Sequence, residues 1–577
     1  MEYKKESRIC QNCKKEFIIE PDDFGFYEKI KVPLPTFCPE CRRQRRSAWQ
    51  NTFSLYSRKC DSCNKSVISL YALDSKIIIY CNKCWWSDKW DPKSFGMNYD
   101  FSKPFFGQMR ELFQKVPQIS VVNDDGIASL NCEYTQDVWF SKNCYMTFSG
   151  WNIENVMYSY WMLAGKNIMD CLINMSDTEY IYECVNCTRG YMLKYSEYAR
   201  ACINSQFLFD CGNCSDCLMC FGLRNKKYHY KNKEYSKEEY EKILDEYYLD
   251  TFSGVEKAQK EFYEFIQEYP RRYVWFKQNK NCSGDVVSYS KNTKHSYTVK
   301  NMENSGYCHD CIDDQECYDL AMTGESSMCY EGTVMDHSQL NLFGFFSVKS
   351  QDIRYTQHCH NCKHIFGCVG LRDANYCIFN KQYTKEEYEK LVPKIIEQMN
   401  KMPYVDKIGN EYKYGEYYPI EHSPFGYNET MAMEHVSLKK DEAKKNGFNW
   451  QDNIQKTIGK ETIKPKDISE SIDEVKDFIL NEVLACVDCG RNYKIVQNEL
   501  TFYRKLKIPI PRRCFYCRHE KRIKRCNPFK LWHRQCMCDK KNHFHGAGKC
   551  EVEFETSYAP DRPEIIYCEK CYQQEVY

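Results

Sequence analysis

A chain of 577 residues holds several domains, and a formal net charge of +1 excludes a global field that would draw a polyanion, so any basic patch is local. Cysteine stands out at 37, beside 46 Tyr and 32 Phe. The start, MEYKKESRIC, carries no apolar core of a secretion signal and no apolar run reaches membrane-spanning length. This predicts a cytoplasmic, reduced protein with no membrane partner, in which CxxC pairs mean metal rather than disulfides.

The chain opens with CQNC (10–13), FYEKIKVPLP and CPECRRQRR from Cys38, then LYSRKCDSC ending at Cys63 and IIYCNKC ending at Cys84. The order returns near the end as CVDC (486–489), FYRKLKIPIP, CFYCRHEKR from Cys514, LWHRQCMC and IIYCEKC ending at Cys571. Cys10, Cys13, Cys38, Cys41 and Cys60 reappear at an offset of 476 as Cys486, Cys489, Cys514, Cys517 and Cys536. Zinc takes four soft ligands in a tetrahedron, and each CxxC knuckle supplies two. Three regular zinc sites follow: Cys10, Cys13, Cys38, Cys41; Cys60, Cys63, Cys81, Cys84; and Cys486, Cys489, Cys514, Cys517. The fourth is irregular. Cys536 and Cys538 form CxC and join Cys568 and Cys571, while His543, His545 and Cys550 between them are further candidate ligands, with a second ion conceivable. It is also the best candidate for an open zinc position. These sites predict zinc ribbons at 1–48, 49–95, 481–526 and 527–577.

The pattern CxxC, FY-x-K, proline, CxxCR and basic residues, at 8–46 and again at 484–525, resembles a small zinc-ribbon family, which implies zinc binding. The segments SPFGYNET and TSYAPDRPEIIYCEKCYQQEVY resemble those of long cysteine-rich proteins of environmental bacteria. After each second knuckle the chain reads as a helix starting at the metal, as in treble-clef fingers. One helix would present Arg42, Arg43, Arg45 and Arg46, the other Arg518, Lys521, Arg522 and Arg525. Such basic faces predict nucleic-acid binding, with RNA favoured and Trp49 and Phe515 stacking on bases; a solvated charged helix is the alternative.

Residues 96–130 read as a connector with one short amphipathic helix carrying Met109, Leu112 and Phe113. From Asn131 a period of 12 begins, with Asn143, Asn155 and Asn167 opening successive lines. Alternating apolar and small polar residues predict short strands of a parallel β-solenoid, two lines making a coil of 24, with Asn and Cys stacked in ladders. CGNCSDC…GLR…KEEYEKIL (211–244) returns as CHNCKHI…GLR…KEEYEKLV (359–392), and Ser236–Glu239 and Thr384–Glu387 are capping boxes opening a cap helix in each unit. The units are 131–245 and 295–400, separated by a helical connector at 246–294 and followed by a linker at 401–480. Cys184, Cys187, Cys211 and Cys214 have ribbon-like spacing and are metal candidates, as are Cys359, Cys362 and Cys368 with His358, His360 and His364; packing inside the solenoid is the competing reading. Asp310, Asp313 and Asp314 read as surface.

The fold class is therefore multidomain and mainly β: zinc-ribbon, treble-clef-like pairs at both ends flank two parallel β-helix-like units with capping helices. No nucleophile elbow, phosphate loop, dinucleotide fingerprint or HExxH is present. The expected function is a non-enzymatic structural-zinc protein binding RNA or DNA. A protein-interaction scaffold and a solenoid enzyme acting on carbohydrate are the alternatives.

Overall fold

From Asn131 to Lys231, and again from Gln278 to Phe379, the backbone enters the left-handed region at nearly every third residue. The computed structural model in which this is seen describes residues 3–174 and 178–576, Asn174 by its backbone alone. Each left-handed residue turns a short extended stretch, and four such turns bring the chain back beside itself after 12 residues. The register follows: Cys132 pairs with Cys144, Val156 with Ile168 and Val299 with Cys311, all in parallel. The expected coil of 24 is therefore halved, because partners lie one 12-residue line apart rather than two.

Left-handed geometry costs an L-residue roughly 1–2 kcal/mol, least for Asn and Asp. Many of these corners are Tyr, Met or Phe, so the ladder and the interior must hold them there. Where the corner is Asn, the side chains add to the ladder: the Asn131 amide donates to Asn143 at 3.1 Å, Asn143 to Asn155 at 3.0 Å and Asn155 to Asn167 at 3.0 Å.

The residue after each corner points inward, which gives the interior a period of three. Cys132, Val138, Cys144, Ile153, Val156, Met162, Ile168 and Cys171 share one phase in a single buried core. Between Cys171 and Ile181 the phase slips by one, and Ile168 pairs with Ile181, 13 residues on. Cys308, Cys311, Cys317, Leu320 and Cys329, and then Cys359, Cys362, Ile365, Cys368 and Leu371, repeat the pattern in the second array. So tight a loop admits one inward side chain per stretch, apolar ones from Cys and Val up to Ile, Leu and Met, and polar ones only if they bond the backbone beside them. Ser141 does so: its hydroxyl donates to the Trp139 carbonyl at 2.7 Å and accepts from the Ile153 N–H at 3.2 Å.

The protein is thus mainly β with long parallel sheets. In the first array the opening strands alternate between a four-stranded sheet (Gln136–Trp139 to Leu172–Asn174) and a five-stranded one (Leu130–Glu133 to Ile181–Tyr182). The second array joins eleven strands in sequence order, from Phe276–Lys277 to Lys381–Gln382. It starts well before the expected His295. Both arrays end in an antiparallel hairpin and then a helix, Lys237–Glu246 or Lys385–Lys401, whose capping box is formed as expected. These hairpins close the terminal sheet edge.

The chain divides into two compact units, each of two separate stretches: 3–121 with 274–454, and 122–273 with 455–576. The N-terminal cysteine modules share a unit with the second array, and the C-terminal modules with the first. The short connector helix is present as Phe105–Lys115, with Met109, Leu112 and Phe113 buried. The segment read as a linker at 401–480 contributes to the core: Tyr412, Tyr417, Tyr418, Tyr427 and Met431 are buried in the first unit, and Ile472–Glu474 and Asp477–Leu480 form two single helical turns. No helix among the described residues is long and apolar enough to cross a membrane.

The corner geometry is testable at Asn155. Asn155→Val breaks the ladder and places a β-branched residue at a φ of 54°. Hydrogen exchange at Lys142–Tyr145, Glu154–Met157 and Lys166–Met169 should report at least 1–2 kcal/mol more loss of protection for this variant than for Asn155→Gly, which loses the ladder but suits the corner.

Candidate metal centres and their anchoring

Each of the three regular modules builds its first knuckle in the same way. A short strand delivers Cys10, Cys60 or Cys486. The residue after the second cysteine (Lys14, Asn64 or Gly490) takes left-handed geometry, and its N–H returns to the first cysteine's carbonyl at 2.8–3.0 Å. The second pair starts a helix, with Cys38, Cys81 and Cys514 at the N-caps of Pro39–Ser47, Asn82–Trp85 and Phe515–Ile523. The backbone N–H of Cys38 meets the Cys10 sulfur at 3.2 Å, and that of Cys81 the Cys60 sulfur at 3.2 Å. Donors aimed at a sulfur favour its thiolate.

The three regular sets each gather their four sulfurs within 4.8 Å of one another, as expected. A tetrahedral centre with metal–sulfur bonds near 2.3 Å has sulfurs about 3.8 Å apart. Cys13 and Cys38 are 3.7 Å apart, Cys63 and Cys81 3.9 Å, and Cys489 and Cys514 3.7 Å, so these tetrads are spaced to bind a metal ion. No two of the described cysteines form a disulfide. The fourth module differs from the expectation in detail. Cys536 is joined by Cys550, Cys568 and Cys571, while Cys538 turns away to His543, His545 and again Cys571. Four cysteines, Cys536 included, leave no open position there.

Cys184, Cys187, Cys211 and Cys214 are in none of these groups. They lie inside the first array, where each thiol faces two backbone carbonyls: Cys184 those of Tyr182 and Leu193 at 3.3 and 3.7 Å, Cys211 those of Phe209 and Cys220 at 3.5 Å each. Cys359, Cys362 and Cys368 do the same in the second array, whereas His358 and His364 occupy outer corners. Asp310 and Asp314 are not surface groups but buried, and the Asp314 carboxylate accepts the Ser326 N–H at 2.9 Å.

The expected basic faces are turned inward. Arg42, Arg45 and Arg46 are at most 1% exposed. Arg42 and Arg46 share the two oxygens of Asp319, at 2.8 and 3.0 Å; Arg45 pairs with Glu331 and, at 3.1 Å, with Glu416. Arg43, half-buried on the same helix, has its guanidinium pKa lowered by burial. The other unit repeats the arrangement. Arg518 and Arg522 share Asp170 at 3.0 and 2.9 Å, Arg522 and Arg525 share Glu183 at 2.6 and 3.0 Å, and only Lys521, on Asp488 at 3.2 Å, stays half-exposed. Asp319, Glu331, Asp170 and Glu183 all sit at left-handed corners. Around each cluster the duplication persists: Tyr307 donates to Asp23 at 3.0 Å, as Tyr158 does to Glu499. Trp49 packs on Phe345, Tyr417 and Tyr418, and Phe515 stacks on Tyr158, so neither ring is offered to a base.

No family model matches the sequence, and no curated protein matches it. One solved structure, a Desulfovibrio desulfuricans G20 chain named for an acetyltransferase activity, aligns over 44% of this chain and 70% of its own at 10% identity, with a TM-score of 0.09. At that score the likeness carries no argument about fold or activity.

Removing one partner of a buried ion pair leaves an uncompensated charge and costs about 3–5 kcal/mol. Asp319→Asn and Asp170→Asn should each lower the denaturant stability of their own unit by that order and leave the other unit's transition in place. A pH effect is expected at Glu429, which accepts from Tyr56 at 2.6 Å and whose pKa burial raises to about 7. Its folded form binds more protons than the unfolded chain between about pH 4.3 and that value, so its contribution falls as pH rises through this window and is level above it. Glu429→Gln should flatten that part of the stability curve of the first unit relative to wild type.

Proposed function

We propose that the protein is a non-enzymatic structural-zinc protein in which treble-clef-like zinc ribbons are fastened onto two β-solenoid units to make a protein-interaction scaffold. The observation that carries this reading is that the arginines of both knuckle helices bond carboxylates of the adjoining array. Zinc suits the cysteine tetrads because it takes four thiolates without redox chemistry, and 37 free thiols suit a reducing compartment. Four protein ligands per ion make the sites structural rather than catalytic. Binding nucleic acid through these helices would require the arginines to leave buried partners. The array surface instead offers exposed apolar side chains, Ile127, Leu130, Tyr134 and Phe140, at the start of the first array.

Small modules such as these fold largely on the metal's binding energy, on the order of 10 kcal/mol per site. Protein purified from its own host should contain at least about four zinc ions per chain, have a protein-like A260/A280 ratio and carry a stoichiometric protein partner. Cys13→Ser should unfold the first ribbon and leave the strand signal in circular dichroism intact. Fewer than two ions in a well-folded sample would overturn the zinc reading, and salt-sensitive RNA binding abolished by Arg42/Arg45/Arg46→Ala would overturn the scaffold reading.

A further inference from the structure

The last cysteine module carries more ligands than one ion can use. Its N-terminal counterpart has four, Cys60, Cys63, Cys81 and Cys84, whereas here Cys536, Cys538, His543, His545, Cys550, Cys568 and Cys571 all converge. They form two groups of four, each with its ligand atoms within 4.8 Å, and fully buried Cys571 belongs to both.

We infer that residues 536–571 build a dinuclear metal centre in which the Cys571 thiolate bridges two ions. One ion is held by Cys536, Cys550, Cys568 and Cys571, the other by Cys538, His543, His545 and Cys571. This inference rests on the metal-binding reading proposed above and adds a fifth ion to it.

The change from CxxC to CxC is what creates the second site. Alternate residues of an extended chain point to opposite sides, so Cys536 and Cys538 serve different ions. The intervening Met537 is fixed by its N–H to the Ile566 carbonyl at 2.9 Å, and the Cys550 N–H donates to the Cys538 carbonyl at 2.9 Å. In the first group Cys550 and Cys568 are 4.0 Å apart, and the Cys568 N–H meets the Cys536 sulfur at 3.2 Å, as in the regular modules. In the second, His543 Nδ1 lies 3.1 Å and His545 Nε2 3.4 Å from the Cys538 sulfur; mixed sulfur and nitrogen ligands on a tetrahedral ion come about 3.5 Å apart.

The surroundings fit a metal-bound imidazole. His543 turns Nδ1 to the sulfur and Nε2 to the Glu575 carboxylate at 3.3 Å, and a carboxylate on the far nitrogen is the usual means of orienting a ligating histidine. Charge favours sharing as well. Two divalent ions on five thiolates and two neutral imidazoles carry one net negative charge, whereas separate sites of the same ligand types would need a sixth thiolate and carry two. Each ion has four protein ligands, so the centre is closed to substrate.

Two measurements on the full-length protein test this. Elemental analysis should find about five zinc ions per chain, falling to about four in His543→Ala/His545→Ala. After exchange into NMR-active cadmium, this module should give one all-sulfur and one mixed sulfur–nitrogen resonance, mutually split by scalar coupling through the Cys571 sulfur. The wild-type spectrum decides even if the variant fails to fold. Four ions in the wild type, or two resonances without mutual splitting, would overturn the bridged centre and leave the other sites standing. Two or three ions would likewise overturn the bridged centre, and fewer than two would overturn the metal reading beneath it.

Discussion

A left-handed residue at every third position is the constraint from which the rest of the structure follows. It folds an extended chain back beside itself after 12 residues and fixes the parallel register. It leaves an interior one side chain wide at each step, where Cys, Val, Ile, Leu and Met pack and where a thiol can face two carbonyls at once. The abundance of cysteine thus has two unrelated causes: thiolates for metal in the end modules, and small apolar filling in the arrays.

The same constraint prepares the surface to which the end modules are fastened. A corner residue projects outward, and an acid there meets its neighbour one line further on. Asp319 and Glu331 are such a pair, as are Asp170 and Glu183 across the one-residue slip. The knuckle helices answer with arginines four residues apart, which share one helix face. The cysteine tetrad fixes where each helix begins, with Cys38 and Cys514 at the N-caps, and the arginines fix where it docks. Taking so many charges out of water is not in itself stabilising, so the clusters act mainly by specifying one seating of module on array.

Much of this was legible in the sequence. The regular tetrads could be read from CxxC spacing, the cap helices from Ser236–Glu239 and Thr384–Glu387, and the period of 12 from the Asn lines, although each coil is one line rather than the expected two. The period of three was visible in Cys211, Cys214, Cys217 and Cys220, but the interior mixes thiols with Ser, Thr and Gly, which blurs a hydrophobic count. The arginines misled because a run such as CRRQRR looks identical whether its partners are phosphates or carboxylates hundreds of residues away. The partners themselves, Asp319, Glu331, Glu416, Asp170 and Glu183, were missed because a lone acid in an aromatic stretch reads as solubility. The split of the last module into two ligand groups depends on which way Cys538 points, which spacing alone leaves open.

The account turns on whether the knuckle arginines are internal fasteners. A double-mutant cycle between Arg46 and Asp319, which meet at 3.0 Å, tests this most directly. With Arg46→Met, Asp319→Leu and the pair compared by denaturant unfolding of the first unit, the account predicts a coupling of about 1–3 kcal/mol, the double variant losing less than the two single losses combined although Arg42 stays without Asp319. Losses that add to within about 0.5 kcal/mol would mean that the two groups do not depend on each other, and would contradict it.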